Sequence, residues 1–224
     1  MTAVVRERAT VRDVGSGTFV LVGGVPGAGK STALAWAAGL RPGVRVLDSE
    51  AARRDLRGRV PRGVPYAVYR PVVHVRHLAG VVRAVLAGPP AGVRGGVRGG
   101  GTAGGAAGEG AGVLVVHDPA TSRARRWWWA CLARRAGWCP VLVMVDVGRD
   151  AALAGQEARG RVVRARAFAR HWRRWSAQRA GLVGASGGAA AGWSQVHVVG
   201  RGQVVSTLVG VVDAAVPVGA GGAR

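Results

Sequence analysis

The segment Gly24-Val25-Pro26-Gly27-Ala28-Gly29-Lys30-Ser31, followed by Thr32, matches the pattern G-x-x-x-x-G-K-[ST]. Glycines let a backbone curl so that successive N–H groups converge on one point, and converging N–H dipoles bind anionic oxygen. A helix starting here would aim the positive end of its dipole at the same place. The Lys30 ammonium then reaches the β- and γ-phosphates of a nucleoside triphosphate, and the Ser31 hydroxyl ligates the accompanying metal. The predicted ligand is ATP with Mg²⁺, held by the stretch from Gly24 to Thr32. At the chain's single lysine, a chance match has a probability of about 0.002.

That lysine is informative in itself. Of the 32 Lys and Arg residues, only Lys30 is lysine. The Ala, Gly, Val and Arg excess points to a coding bias that writes arginine wherever either cation serves. A compact ammonium persists where a rigid guanidinium fork is a poor substitute.

Phosphoryl transfer also needs a carboxylate to orient the attacking oxygen, an acid beside the metal, and cations over the transferred charge. Asp48 and Glu50 follow the apolar run Val44–Leu47, and both are candidate bases. The competing assignment is helix capping by Asp48 and Ser49, with Glu50 opposing the dipole. Asp118 follows Val113–His117 at a strand end, where site chemistry gathers; the alternative is a loop aspartate before Pro119. His117 reads as a packed strand-end histidine rather than a base. Asp146 ends a further apolar run.

These motifs, in this order, resemble the P-loop kinase group that contains polynucleotide 5′-kinase, gluconate kinase and zeta-toxin domains. They look most like AAA-type ATP-binding proteins of that group from high-GC bacteria. The resemblance runs from Thr18 to about Ala180 and rests on Gly24–Thr32, Glu50-x-x-Arg53, Asp118-Pro119-Ala120-Thr121 and an arginine-rich stretch. It implies a base at Glu50, where the group carries Asp, and places Asp118 beside Mg²⁺ or the acceptor. It also implies a lid whose Arg159 and Arg161 close over the γ-phosphate, with Arg164 and Arg166 nearby; the alternative is a solvated basic helix face. Tyr66, Tyr69, Arg70, His74 and His77 would lie on the acceptor side, where substrate contact and core packing are equally open. The implied activity is ATP-dependent phosphorylation of a hydroxyl on a small molecule or nucleotide. Alternatives are a nucleic-acid-end kinase or nucleic-acid-stimulated ATPase, and a non-catalytic nucleotide switch.

The elements that must position these residues can be read from the pattern. Thr18–Val22, Val44–Leu47, Val113–His117, Val141–Val145 and Gln195–Val199 are short apolar runs, as strands buried on both faces require. Helical patterns separate them at Ser31–Leu40, Ser49 to about Gly58, Tyr66–Ala87, Arg123–Ala136 (capped by Ser122), Asp150–Arg159 and an arginine-rich stretch on to about Ala180. Val204–Ala215 reads as a terminal helix or strand. The alternation predicts an α/β fold: a P-loop NTPase three-layer sandwich with a mostly parallel five-stranded sheet and an arginine-rich helical lid. Ligands then bind beyond the carboxyl ends of the strands, where the glycine loop and the acids all fall. The predicted organisation is a polar lead-in at 1–17, a kinase-like domain at 18–216 with a disordered Gly/Arg-rich insertion at about 88–112, and a flexible tail at 217–224.

At 224 residues with 49% hydrophobic content, a sizeable core is expected. The net charge of +21 permits nucleic acid as a partner, but the arginine bias discounts it. Cys131 and Cys139 lack metal-binding or disulfide spacing and read as reduced thiols. No 18-residue apolar run and no signal-peptide core are present, so a cytoplasmic protein without membrane association is expected. Trp127, Trp128 and Trp129 cannot share one helix face, so at least one must be exposed.

Overall fold

Apolar residues without polar alternation dominate the central strands, and they form a sheet covered on both sides. The computed structural model describes residues 17–39, 43–61, 63–90, 112–158, 160 and 164–215. The five strands are β1 (Thr18–Gly24), β2 (Val44–Leu47), β3 (Val113–His117), β4 (Cys139–Val145) and β5 (Gln195–Val199). They pair in the order β2-β3-β1-β4-β5, every pair parallel. Every residue of β1 is buried, as its place at the centre of the sheet requires.

Seven helices connect and cover the strands: α1 (Lys30–Ala37), α2 (Ser49–Arg59), α3 (Tyr66–Leu86), α4 (Arg123–Arg135), α5 (Arg149–Glu157), α6 (Ala165–Gly184) and α7 (Val204–Ala215). Right-handed crossovers put α1, which leads from β1 leftward to β2, on one face of the sheet. The rightward connections through α3, α4 and α6 lie on the other. α7 packs against α1 and completes the first face. The chain thus adopts the expected three-layer α/β fold, with helices on both faces of a five-stranded parallel sheet.

Two buried indoles fasten the second face. Trp129 of α4 meets Phe19 of β1 at 6.0 Å between ring centroids. Trp175 of α6 is fully buried and donates from Nε1 to Asp146 Oδ1 at 3.1 Å. A small separate cluster of Leu56, Tyr69 and Val73 joins α2 to α3.

Several boundaries differ from the sequence reading. β1 runs on into Gly24, and β4 begins at Cys139 rather than Val141. The two helical stretches read after β4 are α5 and α6, which run Arg149–Glu157 and Ala165–Gly184. The terminal segment is helical. Ser122 occupies the N-cap position of α4, but its side chain makes no capping bond. The 1–17 lead-in (Gly17 excepted), most of the 88–112 insertion and the 217–224 tail lie outside the described residues. Among the described residues, no helix is long and apolar enough to cross a membrane.

Candidate functional site

The glycine loop leaves the carboxyl end of the central strand and turns directly into α1. Gly24, Gly27 and Gly29 have φ of 138°, 87° and 99°, left-handed conformations that side chains resist. Space is as restrictive as conformation at Gly27: a Cβ there would stand 1.9 Å from the Ala152 carbonyl oxygen. Lys30 is 6% exposed, and its Nζ donates to the carbonyls of Gly24 at 2.7 Å and Val25 at 2.8 Å. The ammonium is therefore held inside the curl of its own loop, where phosphate oxygens would be received. Val25 and Ala28 are buried, Pro26 and Ser31 half-buried, and Thr32 is exposed at the start of α1.

Two contacts that sequence reasoning did not find brace this loop. Arg201, beyond β5, donates from Nη2 to the carbonyls of Gly27 and Ala151, both at 2.9 Å. Gln156 of α5 reaches the Pro26 carbonyl at 3.4 Å. One arginine among so many carried no signal for such a role, because its partners are backbone atoms brought together only by the fold.

The end of β3 lies against the loop. Asp118 N–H donates to Val22 O at 3.2 Å, and Gly24 N–H donates to Pro119 O at 2.9 Å. Asp118 is 4% exposed. Its Oδ1 accepts from the Ala120 N–H at 2.8 Å, and its Oδ2 accepts from Arg125 Nε at 2.6 Å and Trp129 Nε1 at 3.4 Å. The first bond holds Ala120 at φ 50°, a strained conformation for a residue with a side chain. Asp118 thus builds the turn beside the phosphate loop, as the loop-aspartate alternative expects.

On the neighbouring strand end, Asp48 and His117 meet. The β2–β3 register pairs Leu47 with Val116, which brings the next residue of each strand side by side. His117 Nδ1 stands 3.0 Å from Asp48 Oδ1, with the two side chains 16% and 19% exposed. Ser49 Oγ lies 3.4 Å from Asp48 Oδ1 and 3.5 Å from His117 Nδ1. The His117 carbonyl is 3.1 Å from His77 Nε2. Burial works to raise the Asp48 pKa, but the hydrogen bond and charge of His117 outweigh it and hold the carboxyl below its ordinary value. Burial lowers the His77 pKa. Asp48 does occupy the N-cap of α2, yet its side chain makes no capping bond. The carboxylate turns to His117, so the packed-histidine reading of His117 omits its main contact.

Glu50, in the first turn of α2, stands 3.6 Å from Arg53 Nη1. The Arg53 guanidinium lies over the Tyr66 ring, 4.4 Å from its centroid. Tyr69 is buried in the α2–α3 cluster and so packs, whereas Arg70 donates to the exposed His74 at 3.3 Å. Asp146 serves packing, accepting from Trp175 and from Arg179 at 2.8 Å. Arg159 and Arg161 lie outside the described residues; Arg164 and Arg166 are exposed near the start of α6.

No protein-family model matches the chain, and no curated protein matches it in sequence. Among solved structures it is similar to the tunicamycin resistance protein of Deinococcus radiodurans, at 15% identity over 88% of this chain and 96% of that one, with a TM-score of 0.47. It is similar to Chaetomium thermophilum Kti12, solved in complex with ADP-AlF3, at 14% identity over 88% and 99% of the two chains, TM-score 0.49. A structure of the PezAT toxin–antitoxin system of Streptococcus pneumoniae matches at 14% identity over 65% and 53%, TM-score 0.45. Likenesses at this level assign no chemistry.

Proposed function

We propose that this protein is an ATP-dependent kinase that moves the γ-phosphoryl group to a hydroxyl on a small molecule or nucleotide. The observation that carries the reading is Lys30 Nζ seated between the carbonyls of Gly24 and Val25, inside a glycine loop at the start of a helix. The loop N–H groups and Lys30 would bind the phosphates, and the loop's conformation fits that ligand because three of its glycines hold left-handed angles. Ser31 would hold Mg²⁺ together with the phosphates, with Asp118 reaching it through water, since both Asp118 oxygens already accept bonds. The metal would neutralise charge on the transferring group. Among the described residues, no group of three or more His, Cys, Asp or Glu side chains forms a metal cage, which suits an ion that arrives with its nucleotide.

On the acceptor side, Asp48 is a weak proton acceptor because its pKa is lowered. We assign it to hold His117, whose imidazole is the proposed general base. The acceptor oxygen forms its bond to Pγ, the bond from Pγ to the β–γ bridging oxygen breaks, ADP leaves, and the hydroxyl proton passes to His117 Nε2. Glu50 would align the acceptor hydroxyl, and Arg159 and Arg161 would cover the transferred charge.

A screen with γ-labelled ATP against pooled sugars, nucleosides, oligonucleotides and antibiotics, beside an acceptor-free control, tests this reading. Label should appear on an acceptor. Label released only as inorganic phosphate would replace the kinase by an ATPase or a nucleotide switch. Changing Asp48 and Glu50 together to amides should keep ATP binding and stop transfer; surviving transfer would remove the acceptor-side assignment.

A further inference from the structure

Charge is divided unequally between the two faces of the sheet. Helices α4 and α6 carry ten arginines between them and no Asp or Glu. Helices α1 and α7, on the opposite face, carry no arginine. A coding preference for arginine acts on codons without regard to which face they reach, so it does not account for this partition. Nine of the ten side chains are exposed. Among the described residues only two of them meet a carboxylate, Arg125 with Asp118 and Arg179 with Asp146.

The same face exposes aromatic surface. Trp127 and Trp128 of α4 are 59% and 41% exposed. Trp127 lines a groove of about 1010 Å³ between α4 and α6, together with Arg123, Arg126, Gln178, Leu182 and Trp193. Arg126 is 5% exposed, and its bonds go to neutral acceptors: Ala120 O at 2.7 Å and Gln178 Oε1 at 2.5 Å. Burial, and then the charge of Arg123, push its pKa down to about 10. The groove therefore holds positive potential with no internal anion to cancel it. Arg174 and Arg170 stand one and two turns before Gln178 on α6, which continues the cations beyond the groove's end.

We propose that the α4–α6 face binds single-stranded nucleic acid, with phosphates along Arg123, Arg170 and Arg174 and an unpaired base stacked on Trp127 in the groove. Cations tracking a backbone beside an aromatic platform are the recognised means of holding single strands. A duplex keeps its bases paired inside, whereas an unpaired strand offers both the phosphates and a free ring. Helices α4 and α6 border the proposed transfer site, where Arg125 meets Asp118, but the assignment is read by binding without ATP or phosphoryl transfer, so its failure and that of the kinase reading are distinguishable.

The test uses the full chain and fluorescein-labelled oligo-dT and oligo-U of about 20 nucleotides, several times the site size of a small binding fold. Anisotropy is followed from about 50 to 200 mM salt. Binding should quench tryptophan fluorescence and weaken steeply with salt. Trp127→Ala should lower affinity about fivefold or more, the loss expected for one stacking platform. The variant Arg123→Gln/Arg170→Gln/Arg174→Gln should reduce the salt slope by about 2, at about 0.7 per phosphate contact on a single strand. Its control, Arg45→Gln/Arg54→Gln/Arg57→Gln, removes the same charge from β2 and α2 and should leave both slope and affinity close to wild type. All six arginines are exposed, so circular dichroism should report folded proteins. Equal losses from the two triple variants, or unchanged binding in Trp127→Ala, would overturn the proposal. So would phosphatidylserine vesicles or polyglutamate competing as well as unlabelled oligonucleotide at matched charge.

Discussion

The contact between Asp48 and His117 can be measured without any substrate. A double-mutant cycle of Asp48→Asn and His117→Leu isolates their interaction, provided that Ser49, which approaches both, is first changed to Ala in all four proteins. A hydrogen bond to a charged group contributes about 1.5–3 kcal/mol when well buried. Here the side chains are 16% and 19% exposed, so solvent screening reduces the expected coupling to about 1–2 kcal/mol. Chemical denaturation near neutral pH supplies the four stabilities. The Asp48 pKa is lowered on folding, so the folded protein binds the Asp48 proton less readily than the unfolded chain. That contribution is complete above the unfolded value of 3.8 and fades as pH falls through the lower folded value. The coupling should accordingly be present at pH 5 and weaken as pH falls below 3.8. A coupling below about 0.4 kcal/mol, within the range of simple additivity, would refute the dyad and with it the proton path through His117.

Three other outcomes follow from the geometry. Lys30→Ala should abolish ATP binding by calorimetry, because the only lysine of the chain is the cation inside the loop; retained affinity would remove the central assignment. Gly27→Ala should both destabilise the fold by about 1–3 kcal/mol and weaken nucleotide binding, since φ 87° and a Cβ 1.9 Å from Ala152 O force the loop or α5 to move; an unchanged melting temperature would count against the loop's geometry. His77, His171 and His197 all have pKa values lowered, chiefly by burial, so the unfolded chain binds their protons more readily. Stability should therefore fall as pH drops below about 6.5, and a flat profile of denaturation midpoints from pH 7.5 to about 5 would contradict the burial of these rings.

What the sequence disclosed depended on whether a residue acts through its neighbours in the chain. The glycine loop was fully legible because its function follows from consecutive backbone conformations, and the strands were legible because burial on both faces leaves an unbroken apolar run. Strand ends predicted where acids would gather. Pairings across the sheet were not predicted: Asp48 and His117 are far apart in the chain, and only the β2–β3 register sets them side by side. The same holds for Arg201, whose two acceptors are carbonyls on the phosphate loop and α5. Ser122 and Asp48 show the converse error. Each sits at a helix N-cap, as local preference favours, yet neither side chain caps.

Arginine bias turns out to be useful once positions are known. A uniform preference predicts that any surviving lysine falls at a chance position and that cations are distributed over the surface. Two departures stand against it. One is the single lysine, which lies in the one loop where a guanidinium fits poorly. The other is the absence of arginine from α1 and α7, set against ten on α4 and α6. Discounting the +21 charge as mere composition therefore removes too much, because composition fixes how many cations there are and not where the fold collects them. If selection rather than codon usage gathered them, exchanging exposed arginines of α4 and α6 for glutamine should impair a property that the same exchange on β2 and α2 spares.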